Sequence, residues 1–180
     1  MTPMKRSVWI VAGIVVLAGL VVWLAFRSES ENVVVNFVDD FGQAVEKRPV
    51  EANIGVTDVT LGGQSKRAIS APSASRIAWR VTVPENARLL VSLGLREEAW
   101  TTKGDGVVFR VSMNDDEVMN MVIDPFGDPS FRKWNDFEID LTEFAGETLN
   151  VFLKTFPSPP GANDSNGDQP VWGEPRIVTR

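Results

Sequence analysis

The sequence predicts an antiparallel β-sandwich held behind a membrane anchor, and three observations carry that reading. Residues Ser7 to Phe26 contain no charged side chain. Beyond residue 51 the apolar residues alternate with polar ones at a period of two in one short segment after another. Between those segments stand clusters of Gly, Pro, Asn and Asp, the residues that turn a chain back on itself. Short alternating strands with little helix between them pack as two sheets face to face.

Residues 1–6 form the expected cytoplasmic N-terminus and 7–26 the span. At about 1.5 Å per helical residue the run reaches ~30 Å, the thickness of a bilayer core. Lys5 and Arg6 precede it, while Arg27 is followed at once by Glu29 and Glu31, so the positive-inside rule keeps the N-terminus in the cytoplasm. Trp9 and Trp23 lie near the two ends, where indoles favour the headgroup region. A cleaved signal peptide is the rival reading, but its apolar stretch is normally shorter and ends in a small-residue site; here Trp-Leu-Ala-Phe-Arg follows. These features predict a single-pass protein of the cytoplasmic membrane whose C-terminal domain is periplasmic or extracellular.

Residues 27–50 read as a short tether and one amphipathic helix. Phe37, Val38, Phe41, Ala44 and Val45 recur at helical spacing, Asn36 can cap the start, Asp39 and Asp40 suit the first turn, and Lys47 and Arg48 suit the last before Pro49. Residues 51–180 then supply the sandwich. Ile77, Trp79, Val81 and Val83 alternate with Arg76, Ala78, Arg80 and Thr82. The same rhythm returns in Leu89–Leu95, Val107–Val111, Phe137–Leu141 and Leu149–Leu153. Turns are expected at Pro84-Glu85-Asn86, Lys103–Gly106, Asn114-Asp115-Asp116, Asp124–Pro129 and Ala145-Gly146, and a long irregular loop at Phe156–Gln169.

Composition removes several chemistries. The chain has no His, no Cys and no Tyr, which excludes a His base, a Ser/His/Asp or Cys/His constellation and a His-bound zinc, and leaves the core to hold by packing without disulfides. Three of the 18 Lys and Arg and none of the 24 Asp and Glu fall in residues 1–27, so the remainder carries a net charge of −9. That charge argues against nucleic acid as a partner. No motif singles out a carboxylate pair for glycoside hydrolysis, and no enzymatic activity is expected.

A sequence resemblance is carried by four pieces in order. Val83-Pro84 leads into Ala87-Arg88-Leu89 and Leu93-Gly94-Leu95; Gly104-Asp105-Gly106-Val107 opens a strand; Trp134–Leu141 is followed by Phe144-Ala145-Gly146; and Asp168 precedes Trp172-Gly173-Glu174-Pro175-Arg176-Ile177. This order resembles the galactose-binding-like β-sandwich modules, among them the NPCBM carbohydrate-binding module joined to bacterial sulfatases, glycosyl hydrolases and glycosyltransferases. It covers about residues 51 to 178. The resemblance implies a jelly roll that binds a ligand without catalysis: a cell-envelope or exported glycan, or, as the alternative, another envelope protein such as a membrane glycosyltransferase on which the module docks as an accessory subunit.

Sugars are held by aromatic faces and by planar polar groups. Trp79, alternating with Ile77 and Val81, reads as core. Trp100, in a loop without apolar alternation, is the first candidate for a stacking face, with Trp134 and Trp172 at strand starts behind it and Arg96 and Asn163 in the loops that would supply hydrogen bonds. Asp164, Asn166 and Asp168 spell D-x-N-x-D, an oxygen-rich spacing that could wrap a structural calcium, although a polar turn explains the same letters. No other cofactor is expected.

Overall fold

A computed structural model describes residues 31–50, 52–159 and 168–179. Eleven strands build the described part: β1 (Asn32–Asn36), β2 (Glu46–Arg48), β3 (Gly55–Leu61), β4 (Gln64–Ser70), β5 (Arg76–Thr82), β6 (Ala87–Leu95), β7 (Val107–Met113), β8 (Asp116–Ile123), β9 (Asn135–Asp140), β10 (Thr148–Pro157) and β11 (Pro170–Thr179). They form two antiparallel sheets. One runs β3-β4-β11-β6-β9, the other β2-β5-β10-β7-β8. In the first sheet β11 is shared along one edge: Val171–Gly173 pair with β4, whereas Arg176–Thr179 pair with β1. A bulge between Gly173 and Arg176 separates the two partners on the β6 side.

The alternation expected from the sequence sets which side chains meet between the sheets. Ile77, Trp79 and Val81 of β5, Leu149, Val151 and Leu153 of β10, and Phe109 and Val111 of β7 are buried against Leu89, Val91 and Leu93 of β6 and Ile177 of β11. Trp172 is fully buried among them and meets Phe109 edge-on, ring centroids 4.9 Å apart. Such an edge-to-face pair adds to the burial of its area.

The amphipathic helix expected within 27–50 is not formed. Residues 32–36 and 46–48 are strands, and only Asp39–Gln43 makes a short 3₁₀ turn. Asn36 stands before that turn and accepts hydrogen bonds from the Val38 and Asp39 amides, but Val38 occupies the N-cap position. The carbonyl of Asp40, which a helix would offer to Ala44, accepts instead from the Trp79 indole at 3.0 Å, and the Ala44 amide turns to Phe41. Phe37 and Val38 are buried because they close the core beside Trp79, not because they line a helix face. Among the described residues no helix is long and apolar enough to cross a membrane, and the span expected at 7–26 lies outside them.

Candidate functional site

Two places on the sandwich gather polar side chains. The first is the loop end named by the sequence. Trp100 closes a 3₁₀ turn, Glu97–Trp100, and is half-buried: its Nε1 donates to the Leu95 carbonyl at 3.0 Å, and its own carbonyl accepts from Arg132. Its ring packs on a small second cluster of Val59, Leu61, Ala68, Val171 and Trp134, which lies apart from the main core. Trp134 is 4% exposed and donates from Nε1 to the Gln64 carbonyl, and Trp172 is in the main core. Neither of these two presents a face to a sugar, because the strand starts on which they sit are covered, one by β3 and β4, the other by the opposite sheet. The Arg96 amide donates to the Gln169 carbonyl, which ties this turn to the start of β11.

Asp168 lines a narrow crevice with Gly104, Gly106, Asp124 and Phe126. Asp124 Oδ1 there accepts from the amides of Phe126 and Gly127, an Asx turn. Asn163, Asp164 and Asn166 lie outside the described residues. Among the described residues no group of three acidic side chains converges on one point.

The second place is a groove of about 460 Å³ on the outer face of the six-stranded sheet. Outward residues of four strands meet here: Lys66 of β4, Leu90 and Ser92 of β6, Asp136 and Glu138 of β9, and Arg176 of β11, with Glu31 at the rim. Register explains the gathering, since Ser92 stands opposite both Asp136 and Gly173, and Leu90 opposite Glu138 and Arg176. Lys66 Nζ donates to Ser92 Oγ at 2.7 Å and to Asp136 Oδ1 at 2.8 Å, and Ser92 donates to the same oxygen at 2.5 Å. Burial works to raise the Asp136 carboxyl, but the hydrogen bonds from Lys66 and Ser92 and the charges of Lys66 and Arg176 outweigh it and hold the group below its ordinary value. Glu138 is paired with Arg88 at the next position along. Lys66 donates to Ser92 and Ser92 to Asp136, so the three side chains hold one another in place.

The sequence reading missed this groove, though one signal was present. Ser92 interrupts a run of aliphatic residues, and Asp136 and Glu138 alternate with Phe137 and Ile139, so polar groups on one face of two strands were foreseeable. Which strands lie side by side was not.

The fold is similar to that of solved jelly-roll modules. The CBM51 module of a Clostridium perfringens GH95 protein, solved with methyl-galactose, superposes with a TM-score of 0.58 at 13% identity over 81% of this chain and 99% of its own. The CBM51-2 and INT domains of Clostridium perfringens ZmpB, solved with GlcNAc, give 0.58 at 11% identity over 76% of this chain and 30% of theirs. At such identities the likeness is one of fold. No family model matches the chain. An uncharacterized protein of Archaeoglobus fulgidus is 43% identical over 102 residues, 54% of this chain, and the chain spans a quarter (25%) of that relative's length.

Proposed function

We propose that the chain is a non-catalytic glycan-binding module, held on the outer side of a cytoplasmic membrane by residues 7–26, with the groove of Lys66, Ser92, Asp136 and Arg176 as its sugar site. The observation that carries the reading is the convergence of donors and acceptors from four strands on one groove. A charged donor, a carboxylate and a hydroxyl held by mutual hydrogen bonds suit the forked recognition of sugar hydroxyls, and Leu90 beside them offers an apolar patch. The fold supports the same reading, since the modules it superposes on hold sugars. Sites built on strands are also more rigid than sites on loops.

The test is a glycan array followed by calorimetry on the best hit. Asp136→Asn and Lys66→Met should each weaken binding about tenfold, because each removes a charge-assisted hydrogen bond. Unchanged affinity in both variants would move the sugar site elsewhere. A second reading, docking on another envelope protein, draws on the exposed Val33 and Val34 of β1. An array without hits, together with an envelope protein retained by wild type but not by Val34→Lys, would favour it.

A further inference from the structure

The outer face of the other sheet carries a charge pattern that the groove does not use. Register sets Arg48, Arg76, Lys154 and Arg110 directly opposite one another on β2, β5, β10 and β7. At an interstrand spacing of about 4.8 Å the four form a row ~14 Å long that runs across the strands. Like charges directly opposite one another destabilise a sheet, so the row opposes folding unless something offsets it.

Carboxylates offset its two ends. Glu46 takes Arg76 through Nε at 3.0 Å and Nη2 at 2.6 Å and lies 3.8 Å from Arg48 Nε, and Glu117 lies 2.6 Å from Arg110 Nε. The centre is different. Among the described residues no carboxylate comes within ion-pair distance of Lys154, whose ammonium donates to the Ser112 hydroxyl at 3.2 Å. Burial and the charges of Arg76 and Arg110 pull the Lys154 pKa down, against the weaker pull of Asp115 and Glu117. The row is also bordered by half-buried rings: Lys154 Nζ and Arg76 Cζ stand 4.8 and 5.2 Å from the Phe152 centroid, and Arg110 Cζ 5.0 Å from that of Phe156.

We propose that this row is a second binding face, for an acidic polysaccharide whose carboxylate or sulfate groups dock on Lys154 between Arg76 and Arg110 while its sugar rings rest against Phe152 and Phe156. A linear row on an open sheet suits a polymer carrying repeated anionic groups. Two aromatic residues four apart on one strand, about 13 Å from each other, bracket the central cation. Four cations less two carboxylates leave the row a charge of only +2 on a domain of −9, so its occupant must also gain from the rings of Phe152 and Phe156, which sugar rings can use and an anionic bilayer surface or a duplex backbone cannot. The inference extends the glycan-binding reading to the opposite sheet, and variants of the two faces separate them.

The experiment uses the full-length chain in a neutral detergent and measures binding to polygalacturonate, dextran sulfate and neutral dextran. Wild type should bind at least one of the two acidic polymers and not dextran, the pair of polymers telling carboxylate from sulfate. Lys154→Met should weaken that binding about tenfold, Lys154→Arg should keep it, and Lys66→Met in the groove should leave it unaltered. Lys154→Met should also melt no lower than wild type, because it removes the central like charge while keeping the aliphatic stem, so lost binding is not lost folding. The proposal fails if neither acidic polymer binds, if dextran binds equally well, or if Lys154→Met binds as wild type does. Capture by phosphatidylglycerol vesicles in place of the polymers would make the row a lipid contact and overturn it as well.

Discussion

The indole of Trp134 lies so close to the sheet beneath it that the backbone there has no room for a side chain. A Cβ on Gly173 would come 2.8 Å from Cζ3 of that ring and 3.1 Å from Ser92 Cβ, and one on Gly94 would come 2.3 Å from Leu61 Cδ1. These two glycines let Trp134, Leu61 and Val171 cover the outer face at the end of the groove, and Lys66 reaches Ser92 from beside that ring, 5.9 Å from its centroid. Gly173→Ala should therefore cost about 1–3 kcal/mol by overpacking, seen as a Tm lower by roughly 3 °C per kcal/mol. The cost should shrink in a Trp134→Leu background; an equal cost in both would mean that the clash is not with the indole. Asp136 gives a pH test. Its folded pKa is depressed, so its contribution is complete above the unfolded value of about 3.9 and is lost as the pH falls through the lower folded value. The carboxylate is largely exposed, and the effect should stay below ~1 kcal/mol. Urea unfolding of wild type and Asp136→Asn should differ at pH 6, begin to approach each other only as the pH falls below about 3.9, and converge once it has passed the lower folded value. A constant difference would remove the charge from the network. None of the glycine constraints was legible beforehand, because each depends on a residue from another strand.

At the scale of elements, legibility follows how far a segment's partners reach. β5 and β10 were readable because their inward residues are more buried than the residues between them, and β6, β7 and β9 because their apolar residues alternate in sequence, although β6 and β7 are covered on both faces over part of their length. β3 and β4 were not, since their few apolar residues are divided between two clusters, Val56 and Ile69 facing the main core and Val59, Leu61 and Ala68 the small one on the outer face, so neither strand shows one apolar face. β8 hid for a related reason: its Met and Val residues sit half-exposed at the sheet edge. The stretch 36–48 misled in the opposite direction. Its apolar spacing of one, three and four matches a helix, yet the hydrogen bonds of Val45 to Ala78 and of Phe37 to Pro175 tie its two ends to different sheets. A chain that must cross the end of a sandwich places its apolar residues wherever the core opens, and a helical period is one of the patterns this produces.

The sandwich has two sheet faces of different character, one with a hydrogen-bonded polar groove and one with a row of cations. Alternation and turns predict the sandwich, and it forms in the described residues; the expectation of a place outside the cytoplasm rests on the apolar run and its flanking charges alone. A phosphatase reporter, which folds only outside the cytoplasm, should be active when fused after Arg180, and a cytoplasmic reporter at the same point should be silent. Moving charge tests the cause. Replacing Lys5 and Arg6 by Glu while changing Glu29 and Glu31 to Lys reverses the asymmetry and should transfer activity from the first reporter to the second. If the unaltered fusion is active in the cytoplasm, or if the mature chain begins near Ser28, the anchor reading fails. Ligands met outside the cell would then no longer be the ones to try on either face.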